Sequence, residues 1–145
     1  MMLSRRGLAA VLLALMLAVL WGTHGQAEPL QLSIGEAYAK SQAGEILLVD
    51  IRSRAEWGET GVAVTARPIS MHERGFLDRL DEASGGNRHA PIALICATGG
   101  RSAFLQAQLL ARGFTNVYDV PAGMLGQNSK PGWIASGLPV TRLLP

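Results

Sequence analysis

Two stretches of this chain are apolar without alternation, and they limit its architecture more than any other feature. Ile46-Leu47-Leu48-Val49-Asp50-Ile51 and Pro91-Ile92-Ala93-Leu94-Ile95 are both of strand length. A strand with one wet face alternates apolar and polar residues; an unbroken apolar run needs cover on both faces, as in a parallel sheet packed under helices. Helical patterns alternate with these runs. Ser33 reads as an N-cap with Glu36 as its capping-box partner, before a helix over Ala37, Tyr38 and Ala39 that stops near Ala43-Gly44. Ser53 and Glu56 repeat that signal before a short helix holding Trp57, with Gly58 and Gly61 flanking its end. Met71 to Ala83 is amphipathic, with Phe76, Leu77 and Leu80 along one side. Ser102 to Arg112 predicts a further helix with Gly113 as its C′ residue, apolar around most of its circumference and therefore expected to pack deeply. Asn116 to Val120 predicts a third strand, with Val117 and Tyr118 suited to a pleated surface, and Val62 to Ile69 a short one with Pro68 at an edge or strand end. Alternating strands and helices imply an α/β domain with a mostly parallel central sheet and helices on both faces.

The first residues are read apart from this domain. Ser4-Arg5-Arg6 is a positive n-region, Leu8 to Trp21 is almost purely Leu, Ala, Val and Met, and Gly25-Gln26-Ala27 supplies small residues before a cut. This is the pattern of a secretory signal peptide over residues 1–27, which predicts a periplasmic or secreted domain over 28–145, with its core at about 33–141. An uncleaved membrane anchor is the alternative, for which the run is short against the roughly 20 residues a span needs. Ser4-Arg5-Arg6-Gly7-Leu8 partly matches a twin-arginine signal, but the following positions do not. Of 145 residues, removing 27 leaves 118, enough for one core. Of 13 basic residues, losing Arg5 and Arg6 leaves 11, against 11 acidic ones. A balanced domain gives no reason to expect a nucleic-acid partner, nor a membrane partner once the leader is gone.

Cys96 is the single cysteine of the chain. It cannot form an internal disulfide, and an unpaired thiol is a liability in an oxidising compartment. Its neighbourhood supplies a chemical reason for it. Cys96-Ala97-Thr98-Gly99-Gly100-Arg101-Ser102 joins the end of a strand to the start of a helix. Such a loop directs main-chain amides inward, and Gly99 and Gly100 allow the turns required. A thiol at the mouth of this nest is expected to ionise readily, helped by Arg101. The amides of Ala97, Thr98, Gly99, Gly100 and Ser102 are the expected binding groups for a sulfur anion. Arg101 has a second reading as the partner of a surface carboxylate; the nest role is preferred. Asp50 and Arg52 are read as structural supports, joined in a local ion pair that fixes loops. His72 and His89 have no second ligand at metal spacing and are expected to be solvated, so no metal and no cofactor are called for. Trp57 and Trp133 are read as packing anchors.

The loop resembles the Cys-x-x-Gly-x-Arg active loop of the rhodanese family of thiosulfate and related sulfurtransferases. Other landmarks follow the same order. Leu48-Val49-Asp50-Ile51-Arg52 resembles the family's Asp-x-Arg strand end, and Glu56-Trp57 its acidic-aromatic pair. Gly113-Phe114 with Asn116-Val117, and Trp133 with Gly137-Leu138-Pro139-Val140, resemble its later signatures. The resemblance implies a rhodanese-like fold from about Ser33 to Thr141. It implies that Cys96 attacks a small anionic sulfur donor such as thiosulfate, carries a persulfide, and passes the outer sulfur to cyanide or a thiol, including a protein thiol. Arg101 is then expected to orient the donor. Phosphatases of related fold use Cys-x5-Arg; here four residues separate Cys96 from Arg101, a smaller loop suited to one sulfur atom.

The chain also departs from that pattern. Gly61 to Ala66 lacks the usual His and Pro-Gly-Ala, Ala122-Gly123 replaces Gly-Gly, and Met124 to Gly132 reads as an insertion, either a lid or a surface loop. A noncatalytic module binding an anion or a partner is the reading from another class, and protein thiol redox work a third. The enzymatic reading requires a sulfur open to solvent.

Overall fold

The computed structural model describes residues 28–143, so the expected signal peptide lies outside the described residues. Ser33 caps helix α1 (Ile34–Gln42) through a complete capping box with Glu36. Strand β1 (Leu47–Asp50) follows, then α2 (Arg54–Thr60), capped in the same way by Ser53 and Glu56. Two short strands, β2 (Val62–Ala63) and β3 (Arg67–Pro68), precede α3 (Phe76–Ala83), β4 (Ile92–Ile95) and α4 (Gly100–Ala111). Strands β5 (Val117–Asp119) and β6 (Val140–Thr141) complete the order.

The main sheet runs β3-β1-β4-β5 with every pairing parallel, and β2 pairs antiparallel with β6 in a separate two-stranded sheet. The two apolar runs are its central strands, in the register Leu47↔Ile92 to Asp50↔Ile95. Alternate side chains go to opposite faces. Val49, Ile51, Ile92, Leu94 and Val117 meet Phe76 and Leu80 of α3 and Leu105 and Leu109 of α4. Leu48, Ala93, Ile95 and Val120 meet Ala37 of α1 together with Met124 and Trp133. Helical cover on both faces is thus present as expected, and it explains why neither central strand alternates.

Three local expectations are corrected. Helix α3 begins at Phe76, five residues later than the amphipathic pattern suggests, because Gly75 sits in the left-handed region at φ 75° and the preceding residues form turns. Helix α4 is not packed around its circumference: Ser102, Leu105, Gln106 and Leu109 are buried, but Phe104 is 61% and Leu110 42% exposed. Val62 to Ile69 holds two short strands in different sheets instead of one. Trp57 and Trp133 are both buried, while Ile134 beside Trp133 is 39% exposed. The 124–132 segment is tied at both ends: Met124 N donates to Cys96 O and Trp133 N to Gly123 O, with a Gln127↔Lys130 bridge between.

Candidate active site

The loop leaves β4 at Cys96 and enters α4 at Gly100. Gly99 takes the N-cap position at φ 88°, and a Cβ there would strike the main chain of Pro121. Gly123 is its counterpart: at φ 61°, its Cα faces the carbonyls of Cys96 and Ala97 too closely for any side chain. Met124 N donates to Cys96 O at 2.8 Å and Leu125 N to Ala97 O at 2.9 Å, so the segment after β5 braces the loop from behind.

Within the loop, Gly99 N donates to Cys96 Sγ at 3.1 Å and Ser102 Oγ lies 3.4 Å from the same sulfur. The Ser102 hydroxyl also reaches Gly99 O at 3.0 Å. The amides of Thr98, Gly100, Arg101 and Ser102 have no acceptor among the described residues. Donors at a helix start project along its axis toward the loop, a suitable cradle for negative charge. Thr98 and Gly100 are exposed at the rim, while Ala97, Gly99 and Ser102 are buried. The sulfur is not at the mouth of the nest, as expected, but at its floor: Cys96 is 1% exposed. The physical reason is that the residue still belongs to the β4 alternation and joins the core of Ile51, Leu94 and Leu105.

Arg101 is placed differently from the expectation. Its Nη2 meets Glu56 Oε1 at 2.6 Å and its Nη1 meets Glu56 Oε2 at 2.9 Å, a two-pronged bond between half-buried groups. The carboxylate bridge ranked second on sequence is therefore formed. Arg101 lowers the Glu56 pKa from 4.5 to about 2, assisted by Ser53 against the opposing effect of burial. Glu56 in turn is the leading cause that holds the guanidinium above its usual range, and the Cys96 sulfur acts in the same direction as a lesser one. His72 is exposed, but its Nε2 lies 3.3 Å from Arg101 Nη1. His89 is exposed and contacts Thr115.

Asp50 and Arg52 stand behind the site. Both are buried, and Arg52 Nη2 reaches Asp50 Oδ2 at 2.8 Å and Gly61 O at 2.8 Å, while its Nη1 reaches Thr60 Oγ1 at 2.8 Å. The pair ties the end of β1 to the end of α2, the helix that carries Glu56. Sequence reasoning missed Glu56 as a site residue; its capping-box signal marked it as a helix start, and the resemblance only as half of an acidic-aromatic pair. Asp119 is 2% exposed at the end of β5. Burial pushes the Asp119 carboxyl up, against the opposing influence of the nearby Ser102 and Val120. Among the described residues no group of three metal-ligating side chains forms a cluster, and no helix is long and apolar enough to cross a membrane.

A parallel α/β domain that closes a cysteine-bearing loop onto a helix start defines a thiol-loop class of protein. Residues 33–129 match a family model described as Rhodanese-like domain, and the chain belongs to that family. An uncharacterized protein RP600 homolog of Rickettsia rickettsii is 30% identical over 99 residues, covering 63% of this chain and 80% of that protein. The polysulfide-sulfur transferase homodimer of Wolinella succinogenes shares the fold at a TM-score of 0.57 and 22% identity, over 92% of this chain and 88% of that one. RPA3614 of Rhodopseudomonas palustris, described as a protein of unknown function and possible tyrosine phosphatase, shares it at 0.52 and 18%, over 97% and 98%.

Proposed function

We propose that this protein is a sulfurtransferase that carries sulfane sulfur as a persulfide on Cys96. The observation that carries the reading is the set of main-chain donors around one sulfur: Gly99 N already in contact at 3.1 Å, and four further amides with no acceptor among the described residues. Such donors stabilise negative charge without a general base beside it. A persulfide places its outer, anionic sulfur farther from the floor than the thiol, toward the free amides of Thr98, Gly100, Arg101 and Ser102. The fold does not separate sulfur from phosphate chemistry. Loop length supports sulfur: the four residues between Cys96 and Arg101 make a smaller ring than the Cys-x5-Arg loop that surrounds a phosphate.

In this reading Cys96 is the nucleophile, and a small anionic donor such as thiosulfate delivers its outer sulfur. The bond to the leaving anion breaks with its electron pair, and cyanide, a small thiol or a protein thiol then takes the sulfur from the persulfide. Arg101, held by Glu56, contributes fixed positive charge at the loop's edge and fixes its shape. Cys96 is 1% exposed, which counts against the solvent-open sulfur that the enzymatic reading requires, so in this reading the loop must open before a donor reaches the thiol. The leader-like sequence of residues 1–27 supports export to the periplasm or beyond as part of the same proposal.

The burial of Cys96 favours a second reading, a noncatalytic module that binds an anion or a partner. Incubation with thiosulfate and cyanide separates the two. A sulfurtransferase yields thiocyanate and a protein heavier by one sulfur atom; Cys96→Ala abolishes both and Arg101→Ala reduces them. No turnover and no sulfur adduct with thiosulfate or polysulfide assigns the protein to the second reading.

A further inference from the structure

His72 stands at the edge of the active loop, and the proposed chemistry gives it no task. Its turn is fixed at several points. Met71 N donates to Ile51 O at 3.1 Å, just past the end of β1. His72 N donates to Ser70 Oγ at 3.3 Å, and Ser70 is 1% exposed. The carboxylate of Glu73 is held by Arg54 Nε at 2.6 Å and by Arg79 Nη1 at 2.7 Å. A turn tied to β1, α2 and α3 therefore carries the imidazole to Arg101, 29 positions along the chain, where His72 Nε2 and Arg101 Nη1 are 3.3 Å apart. A guanidinium has no acceptor, so this contact has one direction: Arg101 donates, and an unprotonated Nε2 accepts.

The N–H bonds of Arg101 can then be assigned. A guanidinium carries one on Nε and two on each Nη. Glu56 takes the outer end, one from Nη1 and one from Nη2. His72 takes the second from Nη1. The Nε–H and the second Nη2–H are left, side by side along one edge of the guanidinium plane. Neither has an acceptor among the described residues, and Nε is not shut off from solvent as the unpartnered Trp57 Nε1 and Arg79 Nε are. Two parallel N–H bonds form the fork that grips two oxygens of one oxyanion. We infer that His72 is a positioning residue: by accepting from Nη1 it holds the guanidinium so that the Nε–Nη2 edge is presented to the oxyanion end of a sulfur donor. For its consequence this rests on the sulfurtransferase reading; the contacts stand without it. Donors that end in a sulfonate, as thiosulfate does, are the class served, whereas polysulfide has no oxygen to offer.

The contact depends on the protonation of the ring. An imidazole that gains a proton in the mildly acidic range has two donors and no acceptor. His72 then faces Arg101 as a second cation. Because the side chain is exposed, it turns toward water, where its charge is screened. Arg101 stays on Glu56, which remains ionised because its pKa lies at about 2. Nη1 nevertheless loses one of its two acceptors, and the free edge loses its aim. The other charges at this corner come from α2, as Glu56 on Arg101 and Arg54 on Glu73; from α3, as Arg79 on Glu73; and from the turn itself, as Glu73 and the exposed Arg74. Both carboxylates are already engaged by arginines, so the imidazolium gains no fixed partner in exchange for Arg101.

The test uses NMR of the full chain labelled at histidine and arginine. At mildly alkaline pH the ring nitrogens of His72, identified by their loss in His72→Gln, should report a proton on Nδ1 and a bare Nε2. Sodium sulfate, an unreactive tetrahedral oxyanion, is then titrated in at constant ionic strength while the Arg101 Nε signal is followed. Sulfate should shift that signal, with an affinity about 3- to 10-fold weaker in His72→Ala, and weaker by a similar factor in the native chain once the imidazole is protonated. His72→Gln, whose amide oxygen accepts at any pH, should restore the affinity and remove its pH dependence. In sulfur-uptake kinetics His72→Ala should raise the KM for thiosulfate by the same factor and lower the preference for thiosulfate over polysulfide. A proton on Nε2, an Arg101 Nε signal that ignores sulfate, or equal sulfate affinity in the native chain and His72→Ala overturns the inference. Tighter sulfate binding on acidification also overturns it, since His72 would then bind the anion as a cation. The expected NMR results in a protein that takes up sulfur from neither donor leave the His72–Arg101 contact standing and remove the sulfurtransferase reading instead.

Discussion

Glu56 does two jobs with one carboxylate. Its Oε2 accepts from Ser53 N at 2.9 Å and Ser53 Oγ at 2.8 Å, starting α2, and both its oxygens grip Arg101. The active loop is thereby fastened to a helix cap. Glu56→Gln is expected to weaken both contacts, lowering stability by about 1–2 kcal/mol at neutral pH in a denaturant titration. The acid response gives a sharper check. Because folding lowers the Glu56 pKa from 4.5 to about 2, its contribution is complete above pH 4.5 and is lost as pH falls toward 2. Native protein should lose melting temperature across that window more steeply than Glu56→Gln. Arg101→Lys retains the charge but not the two-pronged geometry, and is expected to slow sulfur uptake about tenfold. The cap was legible in the sequence from Ser53 and Glu56 alone. The clamp was not, since Glu56 and Arg101 stand 45 positions apart and only the packing of α2 beside α4's first turn joins them.

At the scale of elements, the signals that survived are those whose physics is local. Both capping boxes, both central strands and the strand–loop–helix around Cys96 follow from short-range pattern. Elements set by distant partners were harder. The exposed face of α4 is apolar enough to read as buried, yet the sheet lies on one side of it only. The pairing of β2 with β6 joins Val62 to Thr141 and Ala63 to Val140, far apart in the sequence, and leaves no periodic trace. The most demanding contact is between the active loop and the turn after β5. Gly123→Ala would push a Cβ into the Cys96 and Ala97 carbonyls while holding a left-handed φ of 61°. Relief requires the two segments to separate, breaking the Met124–Cys96 and Leu125–Ala97 hydrogen bonds. A loss of roughly 2–4 kcal/mol is expected by urea denaturation. Sulfur uptake should fall with it, because the same separation tilts the loop amides away from Cys96. Gly35→Ala is the control: it has open space and lies in α1, so it should leave sulfur uptake unchanged and stability unchanged or raised by up to about 1 kcal/mol.

Across the whole molecule, the site depends on a chain of polar contacts running outward from the core. Asp50 at the end of β1 holds Arg52; Arg52 holds Thr60 and Gly61 at the end of α2; Glu56 within α2 holds Arg101 of the loop. The order of the strands, with β1 beside and parallel to β4, brings the first and last members of this chain to the same, C-terminal end of the central strands. The Asp50–Arg52 ion pair was legible because its partners are two residues apart; the rest of the chain depends on topology and was not. Arg52→Met should therefore act in two ways. It leaves Asp50 buried and unpaired, at a cost of about 3–5 kcal/mol. It also frees the end of α2, so Glu56 no longer presents a fixed carboxylate to Arg101. Asp50→Asn combined with Arg52→Met removes the stranded charge and should recover much of the stability, measured by urea denaturation. It should not recover sulfur uptake, since α2 remains untied at Thr60 and Gly61. Full recovery of uptake in the double variant would show that the loop keeps its shape without this tether, and that Arg52 serves the fold but not the site.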